Sequence, residues 1–105
     1  MNARQWIDTR SPIVPPSLAQ RIGRALDGAD SSMVSVDAVM IDASMNLLDA
    51  MLGEPDDSRR GAMTLLAADA LITWAFEAAA DQPDRLDALS SSAMQRIAER
   101  AERVA

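Results

Sequence analysis

Two carboxylates and two guanidiniums crowd into one short stretch, Asp56-Asp57-Ser58-Arg59-Arg60-Gly61. Adjacent carboxylates can share a hard cation such as Mg²⁺, and paired arginines can hold phosphate oxygens through planar forks. Asp56 and Asp57 are therefore the metal candidates of this chain, and Arg59 and Arg60 its phosphate candidates. The same residues also make an ordinary helix start, with acids at the positive end of the helix dipole. That plainer reading accounts for every one of them and predicts that Asp56 or Asp57 caps the helix that follows. A second line of polar groups, Asp69, Thr73, Glu77 and Asp81, falls at i, i+4, i+8 and i+12. Deeply buried, a carboxyl there would take a raised pKa and could carry a proton; as a hydrogen-bonded stripe facing solvent or an arginine it would have no chemistry. Asp42, Asn46 and Asp49 read as a solvated helix face.

Much chemistry is excluded by what is missing. The chain has no Cys and no His, and its ten basic residues are all Arg. Disulfides, Cys/His zinc sites, Ser-His-Asp triads, thiol nucleophiles, Schiff-base lysines and P-loop lysines are all ruled out within one chain. A di-metal bundle usually adds His to its carboxylates, which this sequence cannot do. No catalytic residue and no cofactor are expected.

The net charge of −6 is unevenly placed. Residues 1–24 carry four Arg against one Asp, whereas no basic residue lies between Arg24 and Arg59, a span with eight acids. So acidic a centre argues against nucleic acid as a partner. It suits a solvated surface, a basic partner, or the Arg-bearing N-terminus of a second copy. Residues 1–10 are charged and have no apolar run, so no signal peptide and a cytoplasmic, bacterial-type location are expected.

The elements that must position these groups are helical. Ala and Leu dominate, and 105 residues suffice for one modest core. Residues 62–80 are apolar around most of the helical circumference, with one thin polar line. A helix of that kind is packed on several sides, which predicts the central helix of a small all-α bundle. Asp69 and Glu77 within it argue against a membrane span.

Four bundle helices follow from the punctuation. One begins near Pro16 or Ser17, carries Leu18, Ile22, Ala25 and Leu26, and ends at Gly28 in a left-handed position. The next starts among Asp30, Ser31 and Ser32, runs through Ala38, Ile41, Met45, Leu48 and Leu52, and stops at Gly53 and Pro55. The third is 62–80 with its preceding turn. The fourth starts at Pro83, with Leu86, Leu89, Ala93, Ile97, Ala101 and Val104 on its inner side and Arg96–Glu99 and Glu99–Arg103 pairs outside. Ahead of the bundle domain, 17–105, lies an arm, 1–16, with a short helix over 3–8 and a proline-rich extended piece. Its Trp6, Ile7, Ile13 and Val14 are the interaction candidates, because they must pack on the bundle or on a partner. Met33, Met40, Met45, Met51, Met63 and Met94 sit at helical spacing and read as adaptable core filler.

The run LLAADALITWAFEAAA over 65–80 resembles a helix of the trans-isoprenyl diphosphate synthases. In those proteins a run of the form L-A-G-D-A-L-L-x-x-A-F-E follows the first aspartate-rich motif. Asp56-Asp57 and Arg59-Arg60-Gly61 are similar to that motif and to the R-R-G after it, which bind Mg²⁺ and the allylic diphosphate. The D-D-x-x-D spacing and the second aspartate-rich motif are absent here. The resemblance therefore implies a small non-catalytic or regulatory subunit working beside an enzyme on a phosphorylated, isoprenoid-type substrate, and not a synthase.

The leading expectation from the sequence is a non-enzymatic interaction or assembly module, a homo-oligomer (most simply a homodimer) or a binder of another protein, with neither nucleic acid nor membrane as partner. The surplus of apolar helical surface on so small a chain motivates it. Such a regulatory subunit is the first alternative. A binder of a hydrophobic small molecule between the helices is the second.

Overall fold

A computed structural model describes residues 2–10, 14–29 and 35–104 as five helices: α1 (Ala3–Arg10), α2 (Pro16–Asp27), α3 (Val36–Gly53), α4 (Arg59–Ala79) and α5 (Pro83–Val104). The all-α expectation stands, but the count is five, because the short helix of the arm is a packed element of the fold. Asn2 and Gln5 start it with reciprocal bonds: Gln5 N–H donates to Asn2 Oδ1 and Asn2 N–H to Gln5 Oε1, both at 2.8 Å. This capping box satisfies two donors that the first turn cannot. Arg4 then lies across Gly23 of α2, donating to the Gly23 carbonyl at 2.8 Å and to Asp27. A side chain at position 23 would crowd that guanidinium.

The centre of the molecule is the antiparallel pair α3–α4. Met40, Ala43 and Ser44 of α3 face Ala67, Ala68, Leu71 and Ala75 of α4, all buried. Ala67 and Ala75, one turn to either side of Leu71, and Ala68 beside them let the two backbones approach closely. Ser44 Oγ, fully buried, donates to the Ala68 carbonyl at 3.0 Å, so its hydroxyl is satisfied inside the seam. At the closed end, Gly61 of α4 packs under the loop from α3. An added Cβ there would collide with the Asp56 carbonyl oxygen and approach Met51 Cε to 2.9 Å.

Helix α4 packs against α2, α3 and α5, as its apolar circumference predicts. By length and hydropathy it is also a candidate membrane span among the described residues. Its polar line of Asp69, Thr73 and Glu77 faces solvent, in company with Leu66 at 52% exposure. Helix α5 lies against both α3 and α4.

Two local readings of the sequence are corrected. Gly28 ends α2 in a right-handed conformation, φ −84°, because the chain turns there without needing the left-handed region. The cap of α4 is Ser58, whose Oγ accepts from Arg60 N–H at 3.2 Å; the aspartates before it lie outside the helix. The N-cap of α3 is Ser35, while Asp30, Ser31 and Ser32 lie outside the described residues.

The two glycines at the α3–α4 turn should respond oppositely to alanine. Gly61→Ala is expected to lower unfolding stability by about 1–3 kcal/mol through overpacking. Gly53→Ala meets nothing within 4 Å, and should be neutral or stabilising by up to about 1 kcal/mol. Urea denaturation of both variants reads the difference directly.

Candidate functional site: an arginine-held helix with an open apolar edge

The carboxylates do not converge. Asp56 is turned toward its own helix start, accepting from Ser58 N–H at 2.8 Å. Hydrogen bonding from Ser58, first its hydroxyl and then its N–H, holds the Asp56 carboxyl below its ordinary pKa. Burial opposes the shift, and the Arg60 and Arg21 guanidiniums add a little to it. Asp57, Arg59 and Arg60 are exposed. Among the described residues no three acidic side chains gather as a metal site would require. Asp69, Glu77 and Asp81 are likewise exposed.

The acidic face of α3 is the site the sequence misjudged. Asp42 and Asp49 are not a simple solvated face, because arginines of α5 reach them. Arg85 pairs with Asp37 at 2.6 Å, Arg96 with Asp42 at 3.3 Å, and Arg100 with Asp49 at 2.8 Å. The pairs follow the same order along both helices, so α3 and α5 run side by side in one direction. Arg85 also donates to Ser35 Oγ at 2.8 Å, which ties the start of α5 to the cap of α3. Arg103 adds a looser contact with Asp49 at 3.7 Å. The Arg96–Glu99 and Glu99–Arg103 pairs expected on the outer side are thus superseded, because both arginines turn to α3.

Arg100 is the anchor of this ladder, with a side chain only 10% exposed. Its Nη2 donates to Asp49 Oδ2 at 2.9 Å and its Nη1 to the Arg96 carbonyl at 2.8 Å. Its Nε sits 2.8 Å from Asp49 Oδ1 without making a hydrogen bond. The contact through Nε is therefore charge attraction without a directed bond.

This arrangement divides α5. Its first half buries Leu89 and Ala93 and half-buries Leu86, as the sequence stripe predicts. In its second half the inward positions belong to Arg96 and Arg100, and Ile97 and Ala101 turn out to solvent. Ile97 is 43% exposed and Met94, on the same face one turn earlier, 70%. Together with Leu48, Met51 and Leu52 from the end of α3 and Leu65 from the start of α4, Ile97 and Ala101 line an apolar groove of about 200 Å³. Leu52 and Leu65 are themselves 39% and 46% exposed.

The arm candidates sit elsewhere. Trp6, Ile7 and Val14 are half-buried and pack back against the core of their own chain. The Arg10 guanidinium lies 4.8 Å over the Trp6 ring, a cation–π contact that covers its outer face. Ile13 lies outside the described residues. A half-open cleft of about 210 Å³ between α1 and α2 has Ile7, Val14, Ile22 and Trp74 among its walls. It is smaller than the roughly 300 Å³ at which drug-sized pockets begin.

Set against protein-family models, curated proteins and solved structures, this chain matches none.

The ladder has unequal rungs. Arg100→Gln is expected to cost about 1.5–3 kcal/mol, the range for hydrogen bonds to charged groups. Arg103→Gln removes a pair whose arginine is 62% exposed, and should cost less than about 0.5 kcal/mol. Paired urea melts at low and high salt would expose any equality between them.

Proposed function

We propose that this protein is a non-enzymatic assembly module that pairs with a second copy of itself through the open apolar edge of α5. The single observation that carries the reading is the clustering of exposed large apolar side chains. Leu52, Leu65, Met94 and Ile97 are all exposed, and three of them line one groove. Scattered exposed leucines need no explanation, whereas a contiguous apolar patch marks a contact surface.

A second copy fits this surface for physical reasons. A two-fold axis lets one patch serve as both halves of the interface, so no other apolar surface is needed. Ser90, Met94, Ile97 and Ala101 follow at steps of four, three and four, which makes a continuous helix edge beside the groove. Met51 and Met94 give the edge unbranched, adaptable side chains. The adjoining Arg100 is already matched by Asp49 and would bring little unpaired charge into the contact, while Arg103, 62% exposed, can stay in solvent at its rim. Buried charge without a partner is what an apolar interface tolerates least.

The core also gains from pairing. Much of what is fully buried is alanine, with Met40, Met45 and Leu71 the largest fully buried apolar side chains. Association would bury the larger apolar residues that the monomer leaves outside, at roughly 25 cal/mol for each Å² covered.

Sedimentation equilibrium tests this directly. The wild-type protein is expected to form dimers, and Ile97→Glu to weaken them by at least about a hundredfold, in line with the loss of a central apolar anchor. Helicity by circular dichroism should be unchanged, because Ile97 contributes little to the monomer core. A monomeric wild type at high micromolar concentration, or an Ile97→Glu variant that dimerises as well as the wild type, would overturn the reading.

A further inference from the structure

On the other side of α3, away from the apolar groove, α2 and α3 enclose an open cleft of about 390 Å³ whose polar walls are Arg21, Arg24 and Asn46. We propose that this cleft is a binding site for a phosphate-class oxyanion. Arg21 and Arg24 are three residues apart on α2, so their side chains stand next to each other on one helix face. Asn46 faces them from α3. Ala25 and Leu47 add apolar wall, and Gly28 lines the cleft at the end of α2.

Charge is what sets the cleft apart. The chain carries a net −6, yet among the described residues no acidic side chain lines this space. Arg4, Arg85 and Arg96 each pair with an aspartate of their own and Arg100 and Arg103 share Asp49; Arg10 lies on Trp6, and Arg59 and Arg60 stand exposed on separate ground at the start of α4. The Arg24 side chain has no hydrogen-bond or ion-pair partner among the described residues. Arg21 is held in place by the neutral hydroxyl of Thr64, to which Nη1 donates at 3.2 Å, and its charge acts only weakly on the Asp56 carboxylate. Two guanidinium forks plus an amide offer more donors than a single carboxylate has oxygens to accept. A phosphate or diphosphate group, with three or more outward oxygens, fills them.

The probe is inorganic pyrophosphate, titrated into ¹⁵N-labelled protein at ionic strength held constant with NaCl. Saturable shifts are expected in the amides of residues 21–28 and 46–47. Arg24→Gln, an exposed position whose loss leaves the fold intact by urea melt, should weaken binding at least about tenfold, as expected for removal of a charge-assisted pair. Arg59→Gln, which lies outside the cleft, should bind as the wild type does. No saturable shift, equal binding by Arg24→Gln, or equal weakening by Arg59→Gln would overturn the assignment. Each of these readouts is independent of whether the protein dimerises.

Discussion

Helix α3 has to satisfy two unlike neighbours at once, and the rest of the molecule follows from that constraint. One of its faces is a dry seam, closed by Met40, Ala43 and the buried hydroxyl of Ser44 against the alanines of α4. The flank beside it is acidic and takes α5 through Arg85, Arg96 and Arg100. The seam is held by close packing, which is strong and insensitive to salt. The flank is held by partly exposed ion pairs, which are individually weak and are screened. The second half of α5 is therefore placed accurately but attached lightly.

That imbalance explains the apolar edge. A helix can point one stripe inward, and at positions 96 and 100 the stripe is arginine. The neighbouring positions, 94, 97 and 101, are then obliged to face out. Among the described residues none covers them fully, and the arm packs at the other side through Trp6, Ile7 and Val14. Local opening is cheapest where apolar contacts are few, so the end of α5 is the region most able to rearrange when a partner arrives.

Some of this was legible in the sequence and some was not, for definite reasons. Helix type and limits follow from local rules: Gly53 and Pro55 stop α3, Pro83 starts α5, and the long apolar run of α4 requires neighbours on several sides. Even the aspartates before α4 were recognisable as part of a helix start, although Ser58 rather than either of them makes the cap. What local rules cannot supply is which helix faces which. Asp42 and Asp49 look like solvated residues until α5 is laid beside them. Ile97 looks like core until Arg100, three positions on, takes the inward place. Gly61 gives no sign in sequence that its missing side chain is what lets the α3–α4 turn close. Asn46 lies more than twenty residues from Arg21 and Arg24, and only the packing of α2 on α3 brings the three to one cleft.

The central claim is that the exposed edge of α5 is a surface meant to be covered by a second copy. The most direct measurement is hydrogen exchange of the backbone amides of residues 94–103 as a function of protein concentration. If two copies cover this edge, protection there rises as concentration passes through the dimer dissociation constant, while the amides of the α3–α4 seam stay unchanged. Exchange at 94–103 that is independent of concentration over that whole range would contradict the account.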